Sequence, residues 1–171
     1  MRGGRCPVSA PEGVGRDRDE SGRPLNARPR DGLGRPLPHG AEGVERIPEG
    51  QSLPPRESLT EAQRLIDEGR PFHAHEVLEG TWKAAPPSER NLWQGLAQLA
   101  VGLTHAMRGN STGAVSVLTR GRDKVSAYAE TPPHGIDIVG LVAWSSGLIE
   151  QLATHKTGQA DPFAQPKLRL S

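Results

Sequence analysis

Aromatic side chains are scarce in this chain and unevenly placed: two Phe, one Tyr and three Trp among 171 residues, none before Phe72. From Met1 to Glu57, isolated Leu, Val and Ile follow no period, and Pro and Gly fill about a third of positions. Such a composition cannot bury enough apolar surface to offset chain entropy. Cysteine is nearly missing as well. Cys6 alone excludes an intrachain disulfide and a thiolate zinc site, and it fits a reducing, cytoplasmic setting. Charge of one sign is also lacking, with Lys+Arg 21 against Asp+Glu 20. A net +1 supplies no field to gather nucleic acid or an anionic lipid surface, which argues against both as partners. Long apolar runs are absent too. Leu92 to Met107 is interrupted by Gln94, Gln98 and His105, and Ile136 to Leu152 by Asp137, Ser145, Ser146 and Glu150, so neither reads as a membrane span. The basic start at Arg2 and Arg5 is followed by no apolar stretch, so no secretory signal is expected.

What remains is a division into three: a disordered Arg/Pro/Gly-rich extension over 1–57, a helical domain over 58–155, and a flexible tail over 156–171. Arg residues of the extension are interleaved with acids, leaving a local positive excess only from Arg23 to Arg35. This Arg-Pro stretch reads as a solvated linker, with docking on an acidic partner as the alternative. In the domain, Ser58-Leu59-Thr60-Glu61 has the form of a capping box before a first helix that Gly69 stops. Pro71 suits the first turn of a second helix, which ends at Pro86-Pro87. Ser88 and Glu89 start a third, central helix closed by Gly109; Ser111 or Thr112 caps a fourth; and a fifth runs from about Asp137 to Thr154 after a break at 131–135. The fifth is apolar enough for burial on more than one side. No alternating strand pattern occurs, so the expected fold is all-α, a compact bundle of about five short antiparallel helices.

Gly95 and Gly102 in the third helix, and Gly140 and Gly147 in the fifth, are each seven apart and return to nearly the same face. Mid-helix Gly costs about 1 kcal/mol against Ala. Its use four times points to close backbone contact between helices or, alternatively, to room for a ligand. Self-association through these faces is the corresponding partner expectation.

Chemistry concentrates in one stretch, Phe72-His73-Ala74-His75-Glu76-Val77-Leu78-Glu79-Gly80-Thr81-Trp82. Together with Trp93-Gln94-Gly95-Leu96-Ala97-Gln98-Leu99-Ala100 and Arg108-Gly109-Asn110, it resembles the bacterial family known as domain of unknown function 309. The resemblance covers roughly Ser58 to Leu152. It implies a small all-helical fold with an H-E-x-x-E-x-x-W signature, carried here by His75, Glu76, Glu79 and Trp82, and it implies no activity.

Helical phase sorts these residues. Phe72, His75, Glu79 and Trp82 share a stripe, while Glu76 is turned about 100° from His75, nearer His73. A His75/Glu79 pair resembles half of a metalloprotease ligand set, in which the second His position is here a Glu. The third helix offers Gln94, Gln98 and His105 on one face. In a hairpin about Pro86-Pro87, Glu79 falls opposite Gln94 and His75 opposite Gln98, with His105 about 10 Å too far along. Amides are poor zinc ligands and good partners for carboxylate and imidazole. The favoured reading is therefore a binding or scaffold module with a polar seam between helices two and three. The alternative is a metal-dependent hydrolase or other acid/base enzyme using His75, Glu76 and Glu79. Neither a catalytic assignment nor a cofactor follows from the sequence. His73 is expected to be exposed on the opposite side, His134 and His155 to belong to loop and tail, and Lys83 and Arg90 to flank the hairpin.

Overall fold

The computed structural model of the chain describes residues 28–43, 52–154 and 164–170. Most of the expected extension and tail, with Cys6 and Arg23, thus lies outside the described residues. Among the described residues five α-helices follow one another: α1 Pro55–Asp67, α2 Pro71–Ala84, α3 Arg90–Met107, α4 Ser111–Ser126 and α5 Ile138–Thr154, with one turn of 3-10 helix at Pro133–Gly135. Each helix packs chiefly on its neighbours in sequence, α1 on α2, α2 on α3, α3 on α4 and α4 on α5. The all-α fold is as the periodicity suggests. Among the described residues, extended pairing is limited to isolated bridges between Arg30 and Pro36 and between Ile136 and Arg169.

Glycine ends two helices as expected. At α1, Gly69 has φ of +74°, its N–H donates to Ile66 O (2.9 Å), and the Arg70 N–H reaches back to Leu65 O (2.8 Å). At α3, Gly109 has φ of +78°, and the corresponding bonds run from Gly109 to Ala106 and from Asn110 to His105, both at 2.9 Å. Paired 6→1 and 5→2 bonds of this kind satisfy the last free carbonyls, and they need a residue without a Cβ penalty at positive φ.

The helix beginnings differ from the sequence reading. α1 starts at Pro55, three residues ahead of the expected cap, because Pro is pre-organised for the first helical position. Ser58 is therefore inside the helix and fully buried. Its hydroxyl makes a 2.6 Å hydrogen bond with Thr81 Oγ1 of α2, a buried polar link between the two helices of the kind worth about 1 kcal/mol. At α4 the cap is Asn110, whose Oδ1 accepts from Gly113 N at 3.0 Å. At α3, Glu89 precedes the helix without capping it, since its carboxylate is engaged elsewhere.

Of the four glycines singled out, the α3 pair makes the expected close contact. A Cβ on Gly95 would lie 3.0 Å from Gly121 O and 2.8 Å from Val125 Cγ1, and one on Gly102 would lie 2.5 Å from Leu118 Cγ. The facing glycine is Gly121 of α4, where a Cβ would lie 2.9 Å from Gly95 O. These faces are covered by α4, so they are closed to self-association. The α5 pair behaves otherwise. Gly140 lies over its own helix's Asp137, whose Oδ1 accepts from Gly140 N at 2.9 Å, and Gly147 has open space beside it.

Helix α5 buries one side only, through Ile138, Leu141, Ser145 and Leu148, and leaves Val139 at 69% exposure. Residues 164–170, within the segment expected to be a flexible tail, lie against both ends of the helical order. Leu168 is buried, its N–H donates to Gln63 Oε1 of α1 (2.8 Å), and its carbonyl accepts from Asp137 N (3.0 Å). Trp144 Nε1 donates to Ala164 O at 2.6 Å. This segment joins α1 to α5.

Replacing a helical Gly by Ala ordinarily stabilises by up to about 1 kcal/mol. Gly121→Ala is expected to do the reverse, destabilising by about 1–3 kcal/mol, since the new methyl meets the α3 backbone. Gly147→Ala, facing open space, is expected to stabilise by about 0.5–1 kcal/mol. Urea unfolding of the two variants checks the pair, and equal shifts of one sign would contradict the packing.

Candidate functional site

The turn at Gly69 and the proline at the start of α2 place Phe72 in the helix's first turn, beside the last residues of α3. The ring is enclosed on several sides. The Arg108 guanidinium carbon from the end of α3 lies 5.8 Å from its centroid, and that of Arg30, from the segment ahead of α1, lies 5.4 Å away. His73 and His75 meet it edge-on at 5.6 Å and 6.1 Å. Over the ring sits the backbone of Gly34, so close that a Cβ there would be 2.2 Å from Phe72 Cγ. Arg108 Nη2 donates to Leu33 O, and Arg30 Nη1 to Gly34 O (2.6 Å). Cations over an aromatic face gain electrostatically, more so when partly desolvated. Burial pushes the Arg108 guanidinium below its usual value; Asp31 opposes this, and Arg35 and Arg30 add to it. Arg108 remains charged at neutral pH nonetheless.

One turn further on, His75 Nε2 lies 3.7 Å from Glu79 Oε2, and Glu79 Oε1 lies 3.1 Å from Lys83 Nζ. The exposed Lys83–Glu79 pair is solvent-screened and worth at most about 0.5 kcal/mol, and the His75–Glu79 approach is an ion pair only when the imidazole is protonated. The His75 Nδ1 atom is buried and has no hydrogen-bond partner among the described residues. Burial lowers the His75 pKa below 6.5; the Glu79 and Glu76 carboxylates pull it upward, and Lys83 adds to the lowering. At neutral pH the imidazole is neutral, with one ring nitrogen facing a carboxylate.

The other expected members of the site are placed elsewhere. Gln94 Oε1 accepts from Lys124 Nζ of α4 at 2.6 Å instead of facing Glu79. Gln98 has its Cβ 3.1 Å from the Cβ position of Gly121, and its Oε1 is buried without a hydrogen-bond partner among the described residues. The Gln94 amide thus belongs to the α3–α4 contact, and the Cβ of Gln98 lies on that same side. His105 stays at the end of α3, with Nδ1 3.2 Å from Asn110 Nδ2. Trp82 is half-buried and packs against the core. His73, expected to be exposed, is 3% exposed, because α2 buries residues 73, 74, 77, 78 and 81 and leaves the 72/75/79/82 stripe at its edge. Among the described residues, no group of three His, Cys, Asp or Glu side chains is disposed to hold a metal ion.

Sequence reasoning missed one polar cluster. Glu89 Oε2 accepts from Trp93 Nε1 (3.0 Å) and pairs with His134 Nε2 (2.9 Å), while His134 packs its ring 5.8 Å from that of Trp93. Burial pushes the Glu89 carboxyl upward, but the His134 and Trp93 hydrogen bonds and the His134 charge outweigh it and hold the carboxyl below 4.5. His134 takes φ of +56°, unusual for a residue with a Cβ. The i, i+4 spacing of Glu89 and Trp93 is a sequence signal for half of this cluster; nothing local marks His134 as its partner.

The lowered His75 pKa yields a pH prediction. The folded chain holds a proton on this ring less readily than the unfolded chain does. His75's contribution to stability is therefore full above 6.5 and diminishes as pH falls from 6.5 toward the folded midpoint. NMR titration of the His75 ring should give a midpoint below 6.5, and Glu79→Gln, which removes the carboxylate favouring the charged ring, should lower it further. A midpoint at or above 6.5 would show that the carboxylates outweigh burial.

Comparison with known proteins bears on this same part of the chain. Residues 59–117 match the family described as Domain of unknown function (DUF309), a span from α1 into α4 that contains Phe72, His75, Glu79 and Arg108. The uncharacterized protein YpuF of Bacillus subtilis (strain 168) is 34% identical over 85 residues, covering 48% of this chain and 49% of that protein. The matched part thus spans about half of that relative's length. No solved structure matches. Helical content, the Phe72–Trp82 motif in α2 and the family match coincide over residues 59–117, the part of the chain that is similar to DUF309.

Proposed function

We propose that the domain is a binding module for a polypeptide turn, acting at the edge where α2 begins and α3 ends. One observation carries this reading: residues 28–43 of the chain itself are received there as non-helical backbone, with Gly34 over Phe72 and Leu33 O on Arg108. A surface that presents an aromatic face, a guanidinium aimed at a carbonyl and a flanking His75/Glu79/Lys83 rim is suited to main-chain recognition. The rim supplies polar groups to orient a ligand at small cost to the fold, since its pairs are solvent-screened. A cytoplasmic location belongs to the same reading, supported by the single cysteine and by the fact that no helix of the described residues is long and apolar enough to cross a membrane. The alternative, an acid/base or metal-assisted reaction, would use His75, Glu76 and Glu79, and it has less support because Gln94, expected opposite Glu79, is engaged by Lys124 of α4.

Arg108→Ala in the full chain tests whether this edge holds backbone. Amide exchange at Leu33 to Leu37 should rise at least tenfold, while the cooperative unfolding of the helices shifts by no more than about 1 kcal/mol, since Arg108 is at a surface turn. Unchanged exchange, or rapid exchange already in the unmodified chain, would remove the basis of the reading.

A further inference from the structure

The contacts of residues 28–38 with the helices are those of a bound peptide, and we infer that this strap is an internal stand-in for an Arg- and Gly-containing turn of another polypeptide that displaces it. The inference rests on the binding reading above and adds the chemistry of the partner.

Three contacts define what fits. Gly34, at φ of +74°, crosses the Phe72 ring where any Cβ would overlap Cγ, so the crossing residue must be glycine. The carbonyl before it accepts from Arg108, a contact that any backbone can make but only at this register. Four residues ahead of Gly34, Arg30 lays its guanidinium on the same ring and ties Nη1 to the Gly34 carbonyl. Between them, Asp31 shapes the turn: its Oδ1 accepts from Leu33 N (3.0 Å) and Arg35 N (2.7 Å), and its charge acts favourably on Arg108. The partner segment therefore has the chemistry Arg-Asp-x-x-Gly, pre-shaped by its own carboxylate so that little ordering entropy is lost on docking.

The strap is built to leave. Of residues 28–43 only Gly34 is buried, so the strap inserts no large apolar side chain among the helices. The segment at the other end of the chain makes the opposite choice, burying Leu168 to 2% exposure and bonding both α1 and the start of α5. The C-terminal segment is a structural clip. The N-terminal strap contributes a glycine backbone and two guanidinium contacts, all of which an equivalent segment reproduces, and what its departure uncovers is the Phe72 ring with Arg108 beside it.

The test uses the full chain carrying Gly34→Val, with Gly34→Ala as the milder variant, and a synthetic peptide of residues 28–38 as probe. Amides 31–37 should lose protection in the variants while the helices unfold as before. The peptide should then bind one to one, at least tenfold more tightly than to the unmodified chain, whose own strap competes. A peptide with Val at the Gly34 position should not bind, and adding Arg108→Ala to the Gly34→Val chain should weaken binding at least tenfold. Loss of strap protection with no peptide binding at millimolar concentration would overturn the inference while leaving intact the finding, tested by Arg108→Ala alone, that this edge holds the strap. Equal affinity for variant and unmodified chain, or retained protection in Gly34→Val, would overturn it as well. A dimer of the unmodified chain with exchanged straps would replace the foreign segment by a second copy and so overturn it.

Discussion

The approach of α3 to α4 at Gly95 and Gly121 sets the rest of the molecule. Each glycine stands where a methyl on the other would meet backbone at 2.9–3.0 Å, so the rotation of α3 about its own axis leaves no latitude at this contact. From that rotation follow the burial of Trp93, Leu96, Leu99 and Leu103 in the core, the engagement of Gln94 by Lys124, and the placing of the Gln98 Cβ beside Gly121. A rigid close-packed interface of this kind transmits a single-atom constraint over several turns.

Given that rotation, the chemistry of α2 divides into two. The face turned inward buries His73, Ala74, Val77, Leu78 and Thr81, and the Thr81 hydroxyl is hydrogen-bonded to Ser58 of α1. The stripe of Phe72, His75, Glu79 and Trp82 becomes an edge, half-buried and half-wet. Such an edge is unsuited to holding the fold together through charge, because solvent screens the His75–Glu79–Lys83 pairs. The strap contacts this edge from outside the helices, at Phe72.

The helices, their glycine stops at Gly69 and Gly109, the proline start of α2 and the hairpin about Pro86-Pro87 were all legible, since each follows from backbone conformations that a few residue types dictate locally. The grouping of His75, Glu76 and Glu79 was legible for the same reason, being an intrahelical matter of 3.6 residues per turn. What the glutamines faced was not. Two glycines seven apart signalled a close neighbour, and Gln98 lies on their stripe, four residues before Gly102. Read together, they point Gln98 at whichever helix takes up that contact, but the identity of that helix depends on Gly121, far beyond the motif in sequence. Ser58 was misplaced by one turn because a Ser-x-x-Glu pattern and a proline three residues earlier both signal a helix start, and the fixed φ of proline prevailed.

By itself, the sequence determined which segments are helical, where they end and which groups share a turn, because these depend on interactions within a few residues. Only the tertiary structure decided that the Phe72 ring would be roofed by a glycine thirty-eight positions earlier, that Glu89 would find His134, and that Leu168 would join α1 to α5. These pairings depend on how five amphipathic helices divide a common apolar surface. Many rotations satisfy the hydrophobic periodicity nearly equally, and steric contact between particular backbone atoms selects among them.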